Sequence, residues 1–198
     1  MNLRGLIFDL DGTLGDTLPV CFDAFRVTFR HYLKREYNDR QIRAMFGPTE
    51  EGIFQDMFPD VWEDALAMYL REYRRAHAIC RDPFPGMPEA LSLLREREIR
   101  LAIVTGKGPG SAKISLDEMG MADAFEIVEA GSPRGGVKPD SMRKVLEAWN
   151  IKAEQVACIG DAPSDIRSAH EIGATPLGAA WAATADYDAL ASLKPLHT

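Results

Sequence analysis

Short apolar runs alternate with longer amphipathic stretches along most of this chain, and that alternation limits the possible folds more than any other feature. The runs cover residues 3–8, 100–104, 125–128, 155–159 and 174–178. Each is rich in Ile, Val or Leu and bounded by Gly, Asp or Thr, as in strands buried on both faces of a parallel sheet. Stretches at 87–98, 110–119, 139–150 and 163–172 lie between the later runs and read as helices. The pattern predicts an α/β fold: a doubly wound, parallel, five-stranded, Rossmann-like sheet.

One segment breaks the alternation. Between residues 16 and 82 no strand pattern occurs, and apolar residues such as Cys21, Phe25, Phe29 and Tyr32 recur at helical spacing instead. Helices are expected near 18–35, 39–46, 49–58 and 60–79. The stretch Arg81-Asp82-Pro83-Phe84-Pro85-Gly86 cannot continue a helix and reads as the return to the sheet. The expected organisation is an α/β core at 1–15 and 83–198, with a small helical cap at 16–82 inserted after the first strand. A length of 198 residues suits one domain carrying a modest insertion.

Charge and cysteine content narrow the function classes. The net charge of −7 disfavours nucleic-acid binding through phosphate neutralisation. No apolar run approaches the ~18 residues of a membrane span, and the run before Asp9 is too short for a signal peptide. The three cysteines, Cys21, Cys80 and Cys158, are widely spaced and read as small buried or partly buried thiols rather than a disulfide framework or zinc site. A cytoplasmic protein is expected, as a monomer or weak homodimer, with no nucleic-acid or membrane partner.

Ligands of open parallel sheets sit beyond the carboxyl ends of the strands. There the chain places Asp9-Leu10-Asp11-Gly12-Thr13 after the first run, Thr105-Gly106-Lys107 after the second, and Gly160-Asp161 with Asp165 after the fourth. Lys138 opens the helix before that fourth run. Asp9, Asp11, Asp161 and Asp165 crowd negative charge at one sheet edge, which calls for a bound cation or for carboxyls that keep their protons. Hard carboxylate oxygens without His or Cys favour Mg2+. Lys138, the Thr105 hydroxyl and the Gly106 N–H suit a phosphoryl group, whose transfer depends on positioning and charge stabilisation. A carboxylate can also serve as the nucleophile.

Asp9-Leu-Asp11-Gly-Thr-Leu, Thr105, Lys138-Pro and Gly160-Asp161-x-x-x-Asp165 resemble the four ordered motifs of the haloacid dehalogenase-like (HAD) hydrolases. The resemblance runs from residue 3 to about 180, and the insertion is similar to that family's helical (C1) cap. It implies that Asp9 attacks phosphorus and ligates Mg2+. It implies that Asp11 is general acid and then general base, and lends its backbone carbonyl to the metal. Thr105, Gly106 and Lys138 would hold the phosphoryl group. Asp161 would ligate the metal, and Asp165 would support the site through Lys138 or through water.

Asp11 points to phosphate-ester chemistry, because the family's dehalogenases lack an acid at that position. The cap stretch Phe46-Gly47-Pro48-Thr49-Glu50-Glu51-Gly52 lacks the arginine that sugar-phosphate mutases of the β-phosphoglucomutase type carry after a glycine. It resembles the cap loops of phosphoglycolate phosphatase-like enzymes. The expectation is a Mg2+-dependent phosphatase of a small phosphorylated metabolite acting through an aspartyl-phosphate, with the mutase as the alternative. Lys107 reads as a solvated residue at a helix start, Arg71, Arg74 and Arg75 as a solvated helix face, and the histidines as carrying no chemistry.

Overall fold

The computed structural model describes residues 2–197. Strands β1 (Gly5–Phe8), β2 (Arg100–Val104), β3 (Ile127–Glu129), β4 (Val156–Gly160) and β5 (Thr175–Gly178) form one parallel sheet in the order β3-β2-β1-β4-β5. Register is continuous about the central strand: Phe8 pairs with Ile103 on one side and with Ile159 on the other.

Strand side chains alternate between two buried layers. Leu6, Phe8, Leu101 and Ile103 pack under helices α5 (Met87–Glu96) and α6 (Pro109–Glu118). Ile7, Ala102, Val156 and Cys158 pack under α7 (Lys138–Trp149) and α8 (Pro163–Ile172). Helices therefore cover both faces, which is why the strands read as unbroken apolar runs rather than as alternating ones.

Proline and left-handed residues set where these helices start and stop. Pro88, Pro109, Pro139 and Pro163 stand in the first turns of α5, α6, α7 and α8, where a missing N–H costs nothing. Asn150 (φ 51°) ends α7 and Gly173 (φ 79°) ends α8.

The insertion contains α1 (Leu18–Leu33), α2 (Asp39–Arg43), α3 (Glu50–Met57) and α4 (Trp62–Ala76), with a 3-10 turn at His77–Ile79. It has its own core, in which Phe25 contacts Phe29, Phe54 and Tyr69 at ring separations of 5.3, 5.5 and 4.6 Å. A last helix, α9 (Tyr187–Ser192), follows β5.

The expected elements occur with adjusted ends. The third strand begins at Ile127 rather than 125, because Phe125 turns inward onto Phe8 before pairing starts. The helix expected at 60–79 tightens into the 3-10 turn once the His77 ring bonds the Cys80 carbonyl at 2.6 Å. Cys21, Cys80 and Cys158 are all buried free thiols. Among the described residues no helix is long and apolar enough to cross a membrane.

Candidate active site

The carboxyl ends of β1, β2 and β4 and the start of α7 surround one cavity of about 600 Å³, roofed by the helical insertion. Asp9 directly follows β1, and its N–H bonds the Ile159 carbonyl at 2.8 Å, so strand pairing fixes its backbone one residue beyond the named strand. Gly12 then turns the chain at φ +69°. A Cβ there would lie 2.3 Å from Asp161 Oδ2, so only glycine lets this turn sit against the end of β4. Thr105 follows β2, is 2% exposed, and is held by its N–H to the Glu129 carbonyl at 3.0 Å.

Lys138 is the first residue of α7, and its Nζ lies 3.1 Å from Asp9 Oδ1. The same ammonium donates to Asp165 Oδ1, and Asp165 Oδ2 accepts from the Ala162 N–H at 3.0 Å. Asp165 thus caps α8 and anchors Lys138 at once. One oxygen from each of Asp9, Asp161 and Asp165 lies within 4.8 Å of the others. The Asp11 carboxylate stands apart from that cluster and accepts a hydrogen bond from Thr17 Oγ1.

Charge in this cluster is unbalanced. Burial pushes the Asp9 carboxyl up to about 7; Lys138 works against the shift, and Asp165 and Asp11 add to it. Burial, with Asp9 and Asp165 beside it, pushes Asp161 up to about 8. Burial alone would lower Lys138, but Asp165 and Asp9 outweigh it and hold the ammonium above its ordinary value. One lysine does not neutralise three close carboxyls. Asp9 Oδ1 is also buried without a hydrogen bond. A hard divalent cation fits this set of oxygen donors.

The largest departure from the sequence reading is Lys107. It is not solvated: it is 5% exposed, 3.3 Å from Asp11 Oδ1 and 4.5 Å from the centre of the Tyr73 ring. Burial would lower its pKa, but Asp11 first among its neighbours holds it well above the ordinary lysine value. Glu50, which sequence reasoning did not single out, lies 3.9 Å from the same ammonium. Its oxygens accept from the Gly108 N–H at 2.6 Å, Ser111 Oγ at 2.5 Å and Tyr69 OH at 3.2 Å. An acid in the first turn of a helix is ordinary dipole complementation, so nothing in the sequence set Glu50 apart from the rest of the cap stretch 46–52.

Other contacts close the insertion onto the core. The Thr49 N–H bonds the Ser132 carbonyl at 3.0 Å, and Tyr73 OH shares a 2.7 Å hydrogen bond with Ser115 Oγ. A Cβ on Gly52 would meet the Pro133 carbonyl oxygen at 2.1 Å, so glycine permits that approach. His77, buried, bonds Ser115 Oγ at 3.0 Å and belongs to this interface rather than to the cavity. Arg74 and Arg75 are exposed and paired with Glu118 and Glu72, as a solvated face would be. The indole N–H of Trp181 reaches the Thr13 carbonyl at 3.0 Å and braces the turn after Asp11.

The family model described as haloacid dehalogenase-like hydrolase matches residues 6–179. The chain belongs to that family. This hydrolase is 29% identical over 175 residues to a pyrophosphatase, PpaX, of Halalkalibacterium halodurans, covering 87% of this chain and 81% of that protein. It is 28% identical over 184 residues to a phosphoglycolate phosphatase of Rhodospirillum rubrum, covering 86% and 76%. Among solved structures, a haloacid dehalogenase-like hydrolase from Streptococcus pneumoniae superposes with a TM-score of 0.77 at 25% identity. That superposition covers 99% of this chain and 93% of the other.

Proposed function

We propose that this HAD hydrolase is a Mg2+-dependent phosphatase that releases phosphate from a small phosphorylated metabolite through an aspartyl-phosphate. The observation that carries the reading is the convergence of Asp9, Thr105, Lys138 and Asp161 on one cavity from four separate segments. The relatives named as pyrophosphatase and phosphoglycolate phosphatase support it.

In this mechanism an Asp9 carboxylate oxygen forms a bond to phosphorus as the bond from phosphorus to the ester oxygen breaks. Asp11 gives its proton to that departing oxygen. A water then attacks the phosphoryl-Asp9, Asp11 takes a proton from it, and inorganic phosphate leaves with Asp9 regenerated. Lys138, the Thr105 hydroxyl and the Gly106 N–H hold the non-bridging oxygens. Asp165 keeps Lys138 beside Asp9 by pairing with the same ammonium. Asp9, Asp161 and the Asp11 backbone carbonyl would hold Mg2+, with Asp165 next to them. When bound, the ion offsets carboxylate charge and stabilises negative charge on the phosphoryl oxygens. The closed insertion excludes bulk water from the first step.

The test is phosphate release from p-nitrophenyl phosphate and a panel of small phosphate monoesters, with Mg2+ and with EDTA. Release that requires the metal and Asp9 is expected. Isomerised sugar phosphate without free phosphate would favour the mutase instead. Release that survives Asp9→Asn would overturn the nucleophile assignment.

A further inference from the structure

Beyond Asp11, the cavity is lined by an acid and a base from the insertion, Glu50 and Arg43, a base from the core, Lys107, and apolar side chains. Glu50 and Lys107 are each 5% exposed. Glu50 spends its oxygens on three donors, from Gly108, Ser111 and Tyr69. Lys107 lies within ion-pair distance of Asp11 and Glu50, yet its Nζ has no aligned hydrogen-bond acceptor. Its N–H donors are therefore unspent, and Leu18, Cys21, Phe25 and Ile53 line the same cavity.

The charges decide what can sit there. Lys107 and Glu50 sum to zero. Asp11 beside them adds no positive charge. Arg43 also lines the cavity, but it is exposed and stacks over the Phe22 ring at 5.8 Å, so water screens it. An anion entering this end would be buried against the Glu50 carboxylate, with only the exposed, water-screened Arg43 to compensate it. A hydroxyl or ether oxygen, by contrast, brings no charge to this end while its carbon chain packs on the apolar wall.

We propose that Glu50 is a specificity-determining residue: by cancelling Lys107 it tunes the site to phosphate monoesters of uncharged alcohols and rejects a leaving group that carries a second negative charge. The inference rests on the phosphatase reading and names the class of substrate for that same site.

The test uses two compounds that differ in one group, 2-hydroxyethyl phosphate and phosphoglycolate. Wild type is expected to favour 2-hydroxyethyl phosphate at least tenfold in kcat/KM. Glu50→Gln keeps the shape and removes the charge; it should shrink that ratio at least tenfold, chiefly by lowering KM for phosphoglycolate. If Glu50 only ties the insertion to the core, both compounds lose rate together and the ratio stays, which overturns the proposal. A wild-type preference for phosphoglycolate overturns it as well, and that measurement stands even if Glu50→Gln fails to fold.

Binding separates this inference from the reading beneath it. Calorimetry of the two compounds on Asp9→Asn and on Asp9→Asn with Glu50→Gln, both with Mg2+, should show the same shift in the Kd ratio. If p-nitrophenyl phosphate and both compounds release no phosphate, the phosphatase reading falls, and the Kd ratio still decides for or against Glu50. An unchanged Kd ratio overturns the role of Glu50 even where turnover is robust.

Discussion

The two ends of this cleft are assembled by opposite means. At the phosphoryl end, Asp9, Thr105 and Asp161 each directly follow a strand and Lys138 opens a helix, so regular backbone pairing places them. At the leaving-group end, Glu50 and Lys107 meet across 57 positions of sequence and across the seam between insertion and core. The first end carries excess negative charge that calls for a cation. The second balances its own charges internally. A fold can thus hold one set of polar side chains on its sheet and bring a second set together where a separate layer packs over it.

The sharpest way to break this contrast is at Asp9. Asp9→Asn is nearly isosteric, yet it should lower phosphate release on the order of 10³-fold or more while leaving circular dichroism unchanged. A loss of only a few fold would mean that the phosphoryl end is not the reaction centre.

Next comes Lys138. Replacing it with Met keeps the stem and removes the charge that Asp9 and Asp165 face. Turnover should fall about 10²–10³-fold, the usual loss for one stabilising group at developing charge. The apo-protein should also lose about 3–5 kcal/mol of stability, because two buried carboxyls lose their partner. Urea melts read that loss separately from rate. A variant that is slow but fully stable would mean that the ammonium does not hold the carboxyls together.

What the sequence disclosed follows the same division. The sheet and its two helical layers were legible because a strand buried on both faces is a short apolar run, and the helices between β1 and β2 because apolar residues recur there at helical spacing. Asp9, Asp11, Thr105, Lys138, Asp161 and Asp165 were legible because their position is local: each stands at the end or start of one element. Lys107 was misread because a lysine after Gly106 looks solvated until Tyr73, Asp11 and Glu50 close over it. Glu50, though within the cap stretch 46–52, did not stand out because its hydrogen-bond partners Gly108 and Ser111 stand 58 and 61 positions away. Pairings of that kind are set by tertiary packing, which no local pattern encodes.

Acid chemistry at the phosphoryl end gives a smaller, pH-dependent effect. Asp161 holds its proton up to about 8 in the folded apo-protein and Asp9 up to about 7, against an unfolded value of 3.8 for each. Between pH 5 and 8 the folded state therefore binds more protons than the unfolded chain, and stability from these groups declines as pH rises. Asp161→Asn removes one of the two groups. The Tm of the apo wild type should drop relative to this variant as pH rises from 5 to 8. Mg2+ should raise the wild-type Tm more at pH 8 than at pH 5, and raise that of the variant little. A gap between the two proteins that stays constant with pH would remove the electrostatic argument for a cation.

The smallest effect belongs to the leaving-group end and shows how firmly its charge balance is held. Ser111→Ala takes from Glu50 one of three donors and leaves the Gly108 N–H and Tyr69 OH in place. A buried hydrogen bond to a charged group contributes about 1.5–3 kcal/mol, and the two remaining donors keep the loss near the lower figure. For a chain of this length, that lowers Tm by roughly 3–6 °C. Because Ser111 touches Glu50 but not Lys138, Asp9 or Asp165, the Tm gain on adding Mg2+ should match that of wild type. If the variant instead loses the Mg2+ response, the two ends are coupled through the closed insertion. The cleft would then have to be treated as one electrostatic unit rather than as a fixed reaction centre beside an adjustable wall.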